Sequence, residues 1–435
     1  MLTIGWARAD ITPHAGIEMA GFGKRIQPSL GVSDPLYATA LVASDDKTAL
    51  AVIDCDLLGV GAAFMTDVRG KIESLAGIPG RNVSVVCTHT HYGPSLHRDV
   101  AGSPPQPTYE ETYRELLSFQ LAGLVYEAKT TMQPARIRIG MGQSDIGVNR
   151  RERTADGRIV FGVNPDGAVD RAVGVCRIET AAGKPLATLV NFTCHANGQD
   201  AQIRMISADF VGCMRRVVED ATGVPCLFWQ GAAGNVSIVS AETKYSAACS
   251  SGKRLGEEVA RVWETAKPIK ADCVRTVSRV LDLPPYRGLS REHAREQVEE
   301  SERDLEATRK NPRSTPGLIE WHERNLKRLT KLHDSWTDPS LLPPPVKAEL
   351  VVGRIGELAW AFVPGELFNE IGSEIKKRSP LKHTFLAAYA NDYIGYLPTL
   401  QAFHEGGYEV NQGCHVAPEA MPMMVDNYAA MFKEL

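Results

Sequence analysis

No apolar run in the 435 residues approaches the roughly 18 to 20 that a membrane-crossing helix needs. Positive charge is not in surplus either: 48 Lys+Arg stand against 52 Asp+Glu, a net charge of −4 with a pI near 6.3. That excludes the basic face through which nucleic-acid binders work. The start, Met1-Leu2-Thr3-Ile4-Gly5-Trp6, has neither the basic region nor the apolar core of an export signal, so a cytoplasmic location is expected. The nine cysteines include no C-x-x-C pair, and Cys55, Cys87 and Cys176 fall inside apolar strand-like runs. Reduced thiols are therefore expected in place of a disulfide framework, and zinc-finger spacing is absent. There is no internal repeat, no low-complexity segment and no G-x-S-x-G elbow.

What the chain has is a series of apolar strands that end in chemically active side chains. Val83 to Val86 is a β-branched run, stopped by Gly93-Pro94, so His89 and His91 fall where a strand opens into a loop. Residues two apart on a strand point the same way, which lets both imidazoles face one cleft. A lone loop histidine is more often a half-buried polar residue, and even a His-x-His pair becomes a metal site only with further ligands. Ala187 to Phe192 repeats the pattern and ends in Thr193-Cys194-His195. Val363 runs into Pro364-Gly365-Glu366, and the strand Thr384 to Tyr389 leads to Tyr393-Ile394-Gly395-Tyr396. Four strand ends thus carry His89/His91, His195, Glu366 and Tyr393/Tyr396, the places where sites gather in α/β proteins.

Other stretches leave two readings open. Met19-Ala20-Gly21-Phe22-Gly23 is a close-approach loop or a plain surface turn. Asp54-Cys55-Asp56 supports a site or caps a turn. Asn149-Arg150-Arg151 is a solvated turn or an anchor for a carboxylate or carbonyl. The turn Gln230 to Ser237 follows a buried strand and suits an oxyanion, with Ser237 a cap or a nucleophile. Helices are expected over residues 61–76, 109–131 and 209–220, the last with Ser207 as N-cap. Two charged helical segments, about 291–310 and 318–336, form a hairpin inserted at 286–345 that covers the cleft or else serves as a solvated spacer or oligomer contact. The fold expected is α/β, one domain over 1–435, with a mixed β-sheet core, outer helices and ligands at strand ends.

In this order the pieces resemble the neutral/alkaline (non-lysosomal) ceramidase family, specifically its N-terminal catalytic domain. The likeness runs from Gly5-Trp6-Ala7-Arg8-Ala9-Asp10-Ile11-Thr12 to Tyr408-Glu409. Its most specific match is Thr88-His89-Thr90-His91 before Gly93-Pro94. The resemblance implies Zn²⁺ held by His89, His195, Glu366 and Tyr396, with His91 beside the scissile amide. It also implies that Tyr408 steadies an oxyanion, and that Arg150 and Ser237 orient the substrate. Asn235 stands where the family has aspartate, and Arg151 where a serine follows the arginine. The activity implied is hydrolysis of an N-acyl amide by a metal-activated water. The expected substrate is a small-molecule or lipid-like amide, smaller and more soluble than ceramide. A zinc esterase or lactonase, or a silent binding protein on the same fold, are the alternatives.

Overall fold

The computed structural model describes residues 1–23, 25, 27–94, 96, 108–238, 244–312 and 314–435. Its main sheet has nine strands, in the order Cys226–Gln230, Pro185–Phe192, Ala172–Thr180, Gln133–Gln143, Thr3–Asp10, Tyr37–Ser44, Ala49–Cys55 and Val83–Cys87, with Lys267–Pro268 added to Gln133–Gln143. Pairing is antiparallel through the middle and parallel at both ends. The end strand Val83–Cys87 is buried along its whole length, as a continuous apolar run allows when both faces are covered.

The two end strands of this sheet come together. Phe228 N donates to Asp54 Oδ2 at 3.0 Å, and Gln230 Nε2 donates to Thr88 O at 3.1 Å. The segment 388–391 fills the gap between them: Ala388 N donates to Gln230 O, Cys87 N to Tyr389 O, and Asn391 N to Val85 O. Strand twist accumulated over the sheet brings its ends face to face. A second sheet, Val274–Leu283, Val346–Ile355, Leu358–Phe362 and His383–Ala387, packs alongside. Trp229 meets Phe362 and Trp360 edge-on, at centroid distances of 5.1 and 5.8 Å, in the core between the sheets.

Helices Ala62–Ala76 and Thr108–Thr130 pack together, the second across Thr3–Asp10 and Tyr37–Ser44. Asp209–Thr222 and Tyr245–Thr265 pack as a pair at the other end of the sheet. Among the described residues no helix is long and apolar enough to cross a membrane. The charged segments form two helices, Arg291–Lys310 and Pro316–Asp334. Ser290 and Thr315 cap them, accepting from His293 N and Leu318 N, and Pro316 occupies the first turn where its missing N–H costs nothing.

Three expectations change. Cys213 and Cys249 form a disulfide joining the helices 209–222 and 245–265, so the thiols are not all reduced, and the cysteine argument for a reducing compartment falls. Neither residue lies in a motif, and only the packing of the two helices brings them together. Asp54 and Asp56 belong to the sheet rather than to a site. Asp56 takes both terminal nitrogens of the buried Arg215, at 2.7 and 3.0 Å, and Asp54 accepts from Phe228 N. Ser207 stands one residue before the N-cap, Ala208, although its hydroxyl still accepts from Asp209 N at 2.9 Å.

Candidate metal centre and active site

Closure of the main sheet sets the two histidine-bearing strand ends opposite each other. His89 Nε2 lies 3.0 Å from His195 Nε2, and His91 Nε2 lies 3.3 Å from His89 Nε2. The three rings form one buried group whose nitrogens lie within 4.8 Å of one another. Glu366 lies in the short strand Glu366–Leu367, just after strand Leu358–Phe362 of the second sheet, its Oε2 at 3.4 Å from His89 Nε2 and 3.2 Å from His195 Nε2. The backbone is held in unusual conformations to do this: His89 has φ 60° and Tyr389, stacked on its ring at 3.8 Å, has φ 58°. Non-glycine residues in the left-handed region cluster where surrounding structure fixes a site.

The donor set fits a divalent cation. His89 Nδ1 lies 2.7 Å from Leu58 O and His195 Nδ1 lies 2.7 Å from Ala233 O. A carbonyl accepts only, so both Nδ1 atoms carry the proton and both Nε2 atoms present bare lone pairs to each other. Burial pushes His195 down to about 4 and His91 well below the ordinary imidazole range. In Glu366 burial favours the neutral acid, and the carboxyl is held well below its usual range only by positive charge at the imidazole edge, which neutral rings with bare Nε2 atoms do not supply and a cation between them would. Its Oε2 has no hydrogen-bond donor. Facing lone pairs and an ionised, undonated carboxylate repel unless a cation lies among them. Two imidazoles and a carboxylate suit zinc's preference for N and O donors.

Arg150 organises the other half of the site. It is buried, and donates from Nε to Glu409 Oε1 at 2.9 Å, from Nη2 to the Tyr396 hydroxyl at 2.9 Å and from Nη1 to Ser237 Oγ at 3.5 Å. Tyr396 is paired with Glu366 through the short parallel strands 366–367 and 396–397. Burial raises the Tyr396 pKa and Arg150 opposes that rise. Ser237 is joined to His195 by a parallel bridge. Tyr408 opens the short helix Tyr408–Asn411 and meets the Tyr396 ring edge-on at 5.8 Å. Although the residue is 42 % exposed, burial of its hydroxyl end pushes the pKa up to about 12.

The structure thus brings His89, His91, His195 and Glu366 into contact, and places Tyr396, Arg150, Ser237 and Tyr408 in one connected group beside them. In the turn 230–237 three N–H groups are spent on backbone carbonyls: Gly231 N donates to Phe192 O, Gly234 N to Leu367 O and Val236 N to Ala233 O. Gly234 also lets the Glu366 backbone approach, since a Cβ there would lie 2.4 Å from Glu366 O.

Two residues, Tyr389 and Glu409, escaped the sequence reading as site residues, and Tyr393 gains a partner. Tyr393 donates a short hydrogen bond to Glu366 Oε1, and Tyr389 walls His89. Glu409 binds Arg150 and also Arg151 Nη1, the latter at 2.7 Å. Arg151, where the resemblance calls for serine, is therefore matched by a second charge contact. Asn235 accepts from Asn369 N at 2.8 Å and donates to Glu370 Oε2 at 2.9 Å, a pair of roles that an aspartate cannot fill. A cavity of ≈ 330 Å³ lies behind Arg151, lined by Asn149, Asp166, Glu370 and Glu405 among others, and no histidine reaches it. Only the i, i+1 arginine pair and the i, i+1 Tyr408-Glu409 pair gave any hint of this charge cluster.

The family model for the neutral/alkaline non-lysosomal ceramidases, N-terminal part, matches residues 2–269. Two solved structures share the fold. The neutral ceramidase of Pseudomonas aeruginosa is 19% identical with a TM-score of 0.71, and a structure described as ceramidase complexed with C2 is 18% identical with a TM-score of 0.76. Each comparison covers 99% of this chain and 74% of the other. Among curated protein sequences none matches significantly.

Proposed function

Because the chain belongs to the neutral/alkaline non-lysosomal ceramidase family, we propose that it is a zinc-dependent hydrolase of N-acyl amide bonds, acting on a substrate smaller and more soluble than ceramide. The observation that carries this reading is the pair of Nε2 lone pairs 3.0 Å apart beside an undonated, buried Glu366 oxygen. His89, His195 and Glu366 would hold the metal, with the Tyr396 oxygen as the fourth donor; burial keeps that hydroxyl well above the ordinary phenol pKa, and the Arg150 bond opposes the rise as a bound cation would. Bound zinc supplies Lewis-acid polarisation of an amide carbonyl and a water acidic enough to ionise near neutral pH.

The remaining work falls to side chains. Tyr408 keeps its proton at neutral pH and donates to the carbonyl oxygen as negative charge develops there. His91, neutral and with a buried Nδ1 that has no partner, would accept the proton that the attacking water gives up and hand it to the leaving amine nitrogen, ending neutral again. Arg150 and Ser237 fix the polar groups of the substrate.

The direct test is metal analysis beside hydrolysis of N-acyl amines and matched esters. One equivalent of zinc, with amide turnover lost to a chelator and restored by zinc, is the expected result. Zinc with ester turnover alone, or with none, replaces this reading by the esterase or the silent site. Ser237→Ala separates two roles. As an orienting residue it lowers kcat/KM roughly tenfold, the size of one lost hydrogen bond. A loss of roughly a thousandfold or more, with an acyl-enzyme trapped in the wild type and none in the variant, makes it the nucleophile instead.

A further inference from the structure

Trp321 lies on the second helix of the charged hairpin, where it is half-buried beside exposed Glu323 and Arg324. Its indole touches two separate walls of the site. On one side it packs on Gly23 so closely that a Cβ there would lie 2.8 Å from the indole Cδ1. On the other it stacks on Tyr408, with centroids 6.4 Å apart and planes at 24°.

Each wall leads inward through one more contact. Phe22 meets His91 edge-on at 4.8 Å, and a Cβ on Gly21, whose φ is +99°, would lie 2.5 Å from the His91 Cγ. Tyr408 leads to Tyr396 and so to Arg150. Trp321 therefore spans from the glycine loop over His91 to the tyrosine pair beside Arg150.

The indole is not free to swing away as part of a loose arm. Arg328 Nη2 donates to Asn411 O at 2.6 Å, Gln297 Nε2 to Asn411 Oδ1 at 2.9 Å, and Trp336 Nε1 to Arg287 O at 2.8 Å. Asn411 ends the helix that begins at Tyr408, so the hairpin grips the element that carries Tyr408. Of the two readings that the sequence left for the hairpin, these contacts favour the cover.

We infer that Trp321 is a specificity-determining residue, a roof over the histidine cluster that limits the length of the acyl group admitted. The inference rests on the N-acyl hydrolase reading above. A large, rigid indole held between a glycine and a tyrosine yields little, because close-packed groups resist displacement. A short acyl group lies beneath it, whereas a long one has to move the ring or the anchored hairpin.

The test compares wild type with Trp321→Ala and Trp321→Phe on the full, zinc-loaded chain. Two series are run: turnover of N-acetyl to N-dodecanoyl amines, and calorimetric binding of acetate to dodecanoate. In the alanine variant the long-to-short ratio of kcat/KM rises about tenfold or more, with the phenylalanine variant between, a span within reach of pocket size alone. Zinc content stays close to wild type. An unchanged ratio in both variants overturns the inference. If wild type hydrolyses no amide, the hydrolase reading fails and the carboxylates decide. Dodecanoate gaining about tenfold over acetate in Trp321→Ala supports the roof, and equal relative affinities in the two proteins overturn it.

Discussion

His195→Ala is expected to lose both the metal and turnover, with activity falling by roughly a thousandfold or more. The ring supplies one of two nitrogens that face each other at 3.0 Å, and its Nδ1 contact to Ala233 O fixes which nitrogen is bare. Without it, His89 and Glu366 remain as a partial set that holds zinc weakly. Two measurements check this independently of catalysis. Zinc content by elemental analysis falls well below one equivalent. Zinc also raises the melting temperature of the wild type, as any ligand of the folded state does, and fails to raise that of the variant. A metal-free variant with wild-type turnover overturns the ligand assignment. A variant that keeps its zinc but loses turnover moves His195 from ligand to catalytic neighbour.

Glu409→Ala is expected to destabilise the protein by about 3–5 kcal/mol, the usual cost of leaving a buried charge without its partner. Here two buried guanidinium groups lose a partner at once, since Arg150 and Arg151 both donate to this carboxylate; Arg150 is left with no carboxylate bond, while Arg151 keeps Glu405 at 3.4 Å. Glu409→Gln keeps the shape and one acceptor but not the charge, so its loss is smaller. The contrast is Asp156, which pairs with Arg158 at the surface, both exposed. Asp156→Ala leaves the melting temperature unchanged, because water and salt replace an exposed partner. Equal melting temperatures for Glu409→Ala and wild type overturn the view that this carboxylate balances the arginine pair. Refolding of a double variant, Glu409→Ala with Arg150→Met, tests the same charge balance from the other side: removal of both partners costs less than removal of one.

Much of the site was legible because its residues end apolar runs. Thr88-His89-Thr90-His91, Cys194-His195 and Pro364-Gly365-Glu366 each follow a strand whose β-branched or small residues identify it, so a strand-end position could be assigned from pattern alone. The charged helices 291–334 were legible for the same reason: period and capping residues are local properties. Glu409, Tyr389 and Trp321 were not. Tyr389 looks like the last residue of a core strand, Glu409 like one more acid near the end of the chain, and Trp321 like an apolar residue on an amphipathic helix. Their roles come from partners 259, 300 and 87 positions away by subtraction of residue numbers, at Arg150, His89 and Tyr408.

By itself the sequence determined which residues can bind metal and where along their strands they stand, because alternation, turn residues and caps act over a few positions. It also determined the absence of a basic face and of long apolar runs. Only the tertiary structure decided which strand ends meet. Twist brings the first and last strands of the main sheet together, and segment 388–391 bridges them, so His89 and His195 face each other across 106 positions. It decided too that Cys213 and Cys249 pair, that Gly231, Gly234 and Val236 spend their N–H groups on backbone carbonyls, and that Trp321 lies between Gly23 and Tyr408. Such contacts follow from how apolar faces are buried against one another, and no local pattern records them.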